Sequence, residues 1–174
     1  MIIESQRFGA IELIATEVFT LLNGLPEHPA CRHFAWLQNP ADQFGAWLQS
    51  TDNPALAIRL MNPLACVPGY HLTIRREVLR ILTADHPRHI AVYVPLESSG
   101  GSLTAQFDVP LLVHPAKRRG FHVSLPAMSE IEDLMNIGST RTGQCFQPVP
   151  PTRWSAVPEF AGTQTEAVGA VKLV

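Results

Sequence analysis

Fifteen prolines, spread from Pro26 to Pro158, limit how long any element of this chain can run. Proline has no backbone donor and its ring clashes with the preceding helical turn, so it ends helices and is kept out of central strands. The segments between these prolines are short, and several are aliphatic or alternating. Many short strands joined by turns satisfy that pattern; a helical bundle does not. The predicted fold class is all-β, with one or two short helices.

Residues 2–7 and 10–15 flank Phe8-Gly9 and read as a hairpin, and Asn23-Gly24 marks a sharp turn after 18–22. Further strands are predicted at 32–38, 44–50, 55–61, 88–97, 103–107, 111–114 and 119–125. Their boundaries are Asn39-Pro40, the turn Thr51-Asp52-Asn53-Pro54, Asn62-Pro63 and a flexible loop at 98–102. One helix is expected over 75–83, because Val78, Leu79 and Leu82 share a face by their spacing. Composition changes after Pro126. Residues 1–126 are expected to form the domain, and 127–174 an irregular extension or a tail folded back on it. In that tail Ser129 with Glu132 suggests a capping box for a short helix over 130–137. Val168, Val171, Leu173 and Val174 suit a terminal strand.

At 46% apolar and 16% charged residues, the chain is too hydrophobic to remain disordered, and 174 residues suffice for a core without staples. The net charge of −2 offers no general grip on nucleic acid. Charge is uneven, however: residues 1–70 hold three Arg against six acids, and 71–126 hold seven Lys or Arg against four. Cys31, Cys66 and Cys145 are odd in number, widely spaced and without a CxxC pair, so neither a disulfide framework nor a zinc site is expected. The N-terminus carries no basic, apolar leader pattern, and no uncharged apolar run approaches the ~18 residues of a membrane helix. A cytoplasmic protein with no cofactor and no metal is the expectation.

Catalytic signals are poor. His86 and His89 flank Pro87, which biases His86 away from helical backbone and spoils a helical ligand pair. His71, His114 and His122 fall on separate predicted strands, and only convergence in space would give them joint chemistry. There is no GxSxG, and the run from Gly138 to Gly143 lacks the order of a phosphate loop. Lys117-Arg118-Arg119 reads as a solvated basic turn.

Several segments together resemble the FliW family of bacterial flagellar assembly factors. Ser5-Gln6-Arg7-Phe8-Gly9-Ala10-Ile11-Glu12-Leu13 is similar to the family's first hairpin, and Asn23-Gly24-Leu25-Pro26 to its Gly-Leu-Pro element. The stretch Phe44 to Ala57, with Trp47-Leu48-Gln49-Ser50 and then an acidic turn with Pro54, is the most specific. Asn62-Pro63, Pro68-Gly69-Tyr70, Leu103 to Gln106, Val109 to Pro115 and Lys117 to Gly120 follow in the family's order, so the likeness spans residues 1–125. It implies a compact barrel-like β domain without catalysis. It also implies two protein partners: flagellin, and the translational repressor CsrA, whose action on flagellin mRNA such proteins relieve. No membrane and no direct nucleic-acid partner is implied, and a monomer is expected.

On this resemblance the partner-binding residues are Trp47, Gln49, Ser50, Asp52, Asn62, Pro63 and Tyr70. Alternation puts Phe44, Ala46, Leu48 and Ser50 on one face of their strand and Gly45, Trp47 and Gln49 on the other. Trp47 then either anchors a partner or fills the barrel, while Trp36 belongs to the core. The chain departs from the family at Glu27-His28-Pro29, where Gly-Phe-Glu is usual, and at Arg75-Arg76, where acids are usual. The competing readings are a small-molecule-binding or enzymatic barrel using His71, His114 and His122, and a nucleic-acid-binding barrel with aromatics beside Arg75, Arg76 and Arg118.

Overall fold

In a computed structural model of the chain, residues 1–39, 41–42, 44–65, 67–99, 102–125, 155–156 and 171–173 are described. Thirteen strands and one short helix are found among them. They are β1 (Ile2–Ser5), β2 (Gly9–Glu12), β3 (Val18–Leu21), β4 (His33–Gln38), β5 (Gly45–Ser50), β6 (Ala57–Met61), β7 (Leu72–Ile74), α1 (Arg76–Ile81), β8 (Ala91–Ser99), β9 (Ser102–Ala105), β10 (Leu111–His114), β11 (Arg119–His122), β12 (Ser155–Ala156) and β13 (Val171–Leu173). The all-β expectation holds, and most of the strands fall where the proline spacing placed them.

Seven strands close on themselves in the order β10-β11-β3-β4-β5-β6-β8, with β8 returning to β10. The pairings are antiparallel except β11 with β3, which is parallel and joins Arg119 and Gly120 to Thr20 and Leu21. Closure removes the open edges a flat sheet would expose. Pro95 lies within β8 where the neighbour on one side changes, from β10, paired as far as Tyr93, to β9, paired from Leu96. A residue without a donor is tolerated at such a break in the ladder.

The alternation of the strands sorts side chains into three clusters. Phe19, Leu21, Phe34, Trp36, Ala46, Leu48, Leu60, Leu111 and Val113 fill the barrel. Trp36 is at its centre, 2% exposed, with the Tyr93 ring edge-on at 5.0 Å and Phe19 at 5.5 Å. Burial pushes the Tyr93 phenol up to about 12. Gly120 lies where the wall is thinnest: a Cβ there would stand 2.5 Å from the Phe19 ring. Outside the barrel, Leu72, Ile74, Leu79 and Leu82 pack with Ile90, Val92 and Leu112, so α1 and β7 form a covering layer. On another outer face, the β1–β2 hairpin lays Ile3, Ile11 and Leu13 over Ala35 and Leu37.

Some boundaries differ from expectation. Strand β8 runs through Ser99 and β9 starts at Ser102, so strand pairing reaches into the loop expected at 98–102. Strand β7 follows directly on His71, which was expected on a strand, but its bounds were not anticipated, since three residues between Pro68-Gly69 and the helix carry too little pattern. Of the tail, β12 pairs with β4 and β13 with β7. The helix expected over 130–137 lies outside the described residues. No helix among the described residues is long and apolar enough to cross a membrane.

Candidate partner-binding surface

Trp47 is carried on β5 with its side chain outside the barrel. Its strand neighbours Ala46 and Leu48 point into the core, and Trp47 packs with the hairpin cluster. Phe8, from the hairpin turn, meets its ring edge-on at 5.5 Å. The Arg7 guanidinium lies 4.6 Å from the ring centroid, and that of Arg59, its cross-strand partner on β6, lies 5.9 Å away. Arg59 in turn meets Asp42 at 3.4 Å. A guanidinium group over a tryptophan face is favourable electrostatically, since the ring quadrupole presents negative charge to it. Of the two readings of Trp47, filling the barrel is corrected: Trp36 does that.

Gln49 and Ser50 are fully buried. The Ser5 hydroxyl donates to Gln49 Oε1 at 2.6 Å, across 44 residues. Gln49 Nε2 faces the carbonyls of Ser50, Asn53 and Pro54 at 3.1, 3.2 and 3.4 Å. Ser5 Oγ accepts from the amides of Arg7 and Phe8 at 3.1 Å each. Ser50 Oγ accepts from the amides of Asp52 and Asn53 at 3.2 and 3.1 Å. One buried amide thus ties the first hairpin to the turn after β5, and two hydroxyls shape the two turns. These side chains hold a surface in shape rather than form its outside. Asp52, at the tip of that turn, is exposed.

The other expected residues lie elsewhere. Asn62 Oδ1 accepts from the Leu64 amide at 3.0 Å and its own amide donates to the Phe44 carbonyl, so Asn62 and buried Pro63 sit at the opposite end of the β5–β6 ladder from Asp52. Tyr70 packs on the layer of α1 and β7, with the Phe107 ring at 5.8 Å. Its hydroxyl is buried without a hydrogen-bond partner among the described residues, and burial raises its pKa. The structure therefore gathers Trp47, Gln49, Ser50 and Asp52, and separates Asn62, Pro63 and Tyr70 from them. Phe44, placed by alternation on the same face as Ala46 and Leu48, is 48% exposed, and β5 begins only at Gly45. Exposed Arg7 and half-buried Arg59 stand beside Trp47 and were not proposed as partner-binding residues. The signal for Arg7 was its place beside Phe8-Gly9, but only the folded hairpin brings it to Trp47.

The structure gives His71, His114 and His122 no shared site. His114 and His122 stand at opposite ends of the β10–β11 ladder, and exposed His71 holds its own loop through Gly69. His114 is buried with Nδ1 unpartnered among the described residues, and its ring is 6.0 Å from that of His89. Burial first, then Lys117 and His89, lower its pKa. Burial likewise lowers His122. Among the described residues, no group of three or more His, Cys, Asp or Glu is arranged to hold a metal ion. Lys117 Nζ donates to the Thr83 carbonyl and Arg118 to that of Glu17, which ties two residues of the basic turn to backbone.

The model of one family, described as FliW protein, matches residues 2–130. A flagellar assembly factor FliW of Bdellovibrio bacteriovorus is 32% identical over 117 residues, which is 66% of each chain, or just under two thirds of that relative's length. One from Alkaliphilus metalliredigens is 26% identical over 128 residues, covering 72% of this chain and 79% of that one. A crystal structure of the flagellar assembly factor FliW superposes with a TM-score of 0.66 at 25% identity, over 74% of this chain and 92% of that chain.

Proposed function

The chain belongs to the FliW family of flagellar assembly factors, and we propose that it acts there by binding proteins and not by catalysing a reaction. Its partners on this reading are flagellin and the repressor CsrA. Binding CsrA relieves repression of flagellin synthesis, and flagellin competes for the same protein, so each partner lowers the occupancy of the other. The protein acts as a monomer in the cytoplasm.

The observation that carries this reading is the family match over residues 2–130, which spans the barrel and its hairpin. The packed interior agrees with it. Trp36, Phe19, Phe34 and Leu48 occupy the space that a small ligand would need. Recognition then falls to the outside, where the hairpin, Trp47, Arg7 and the exposed Asp52 present aromatic, cationic and acidic groups over a rigid wall. Gln49 and Ser50 contribute by holding that surface. The enzymatic alternative loses its footing because His71, His114 and His122 are apart.

Calorimetric titration of the purified chain with monomeric flagellin tests the first half: saturable one-to-one binding is expected, and no heat at any temperature removes it. Titration with CsrA, followed by addition of flagellin, tests the second. Displacement of CsrA is expected, and independent binding of both refutes the competition.

A further inference from the structure

Strand β7 stands outside the barrel and pairs with a single neighbour among the described residues, β13. The two run parallel, with Val171, Lys172 and Leu173 opposite Leu72, Thr73 and Ile74. Leu72 and Ile74 are buried against Leu79 and Leu82, and Thr73 is exposed. The layer beneath fixes β7 through its side chains. Among the described residues, its backbone edge is completed by Val171–Leu173. The same tail covers a second edge: β12 pairs with Leu37 and Gln38 of β4, beyond Ala35, where the β3 pairing has ended. Both covering strands lie outside the region that matches the family, residues 2–130.

A strand with unmet N–H and C=O groups is a template for any extended chain that reaches it. We propose that the edge of β7 is a docking groove for an extended polypeptide segment running parallel to it, and that the chain's own Val171–Leu173 is its resident, displaceable occupant. Two features make the occupant displaceable. It is three residues long, and parallel pairing holds less per residue than antiparallel pairing. The register defines the entrant: apolar residues opposite Leu72 and Ile74, with a polar or basic one opposite Thr73. It would pass beside the turn Pro87–His89, which β13 also contacts. This inference does not rest on the flagellar reading.

The test uses the full chain and a labelled synthetic peptide with the sequence of residues 167–174. In the wild type the groove is filled, so the peptide's apparent affinity is reduced by the fraction of chains that are open. In a full-length variant carrying Val171→Pro and Leu173→Pro, the peptide should bind about tenfold tighter or more. A control peptide with Asp at the two apolar register positions should not bind. Hydrogen exchange provides the second reading: the 72–74 amides should lose protection in the variant and regain it with peptide. Equal affinity for both proteins, no binding to the variant, or unchanged protection of 72–74 in the variant would each overturn the proposal.

Discussion

Replacing Gln49 by Ala should cost about 2–4 kcal/mol, and the way the loss couples to Ser5 is the sharper test. The 2.6 Å bond from Ser5 Oγ to Gln49 Oε1 is fully buried, and such a bond contributes about 1 kcal/mol net. Deleting the amide also strands the Ser5 hydroxyl proton and withdraws donors from the carbonyls of Ser50, Asn53 and Pro54. A buried polar group left unpaired costs about 1–3 kcal/mol. Nε2 has only two protons for three carbonyls, and Pro54 O keeps the Gln6 amide at 2.9 Å, so these losses do not simply add. For a domain of this size the total corresponds to a fall in Tm of about 10 °C. Chemical denaturation of the wild type, Ser5→Ala, Gln49→Ala and the double variant gives the interaction energy directly. We expect the two substitutions to be non-additive by about 1–2 kcal/mol, since either alone leaves the other partner buried and unmatched. Additivity within about 0.5 kcal/mol, or a Gln49→Ala protein as stable as the wild type, would refute the idea that this amide ties the hairpin to the β5 turn.

Three further outcomes follow from the same structure. Trp36→Ala empties the barrel centre and should cost about 3–5 kcal/mol by denaturant titration, whereas Arg7→Ala, at the surface, should cost under about 1 kcal/mol while shifting Trp fluorescence. Gly24 has φ +66° and a Cβ there would collide with the Pro29 backbone, so Gly24→Ala should destabilise by about 1 kcal/mol or more, measured as a drop in Tm. His114 and His122 resist protonation when folded, so stability should be level above about pH 7, fall as pH drops through about 6.5, and go on falling until it passes their lowered folded-state values. A His114→Gln, His122→Gln variant should lose most of that slope in Tm between about pH 7.5 and 5.5, and an unchanged slope would place its origin in other groups.

The sequence made the strands legible because their pattern is local. Leu111–His114 needed only four residues bounded by prolines, and Ala46 and Leu48 turned inward as alternation requires. What each outer face meets was not legible. Trp47 could be assigned a side of its strand but not its cover, because Phe8 and Arg7 reach it from a hairpin some forty residues away. Gln49 looked like a surface partner of Trp47, and its buried role depends on Ser5 at a similar distance. Strand β7 has three residues and finds its partner at the other end of the chain. Such long-range pairings leave no mark in a window of a dozen residues.

The parallel contact of β3 with β11 has a consequence for how the molecule is made. It is locked by Asn23, whose side chain donates to the His122 carbonyl at 2.8 Å and accepts the His122 amide at 2.9 Å, 99 residues along the chain. The zipper between the earliest and latest staves therefore cannot shut until almost the whole barrel has been synthesised. Until then Phe19, Phe34 and Trp36 lack the cover that Leu111 and Val113 give them in the closed barrel. Closure of this kind is slow, because a large loop must be drawn together before any contact rewards it. The interval before that last stitch is when the newborn protein is most exposed to misassociation.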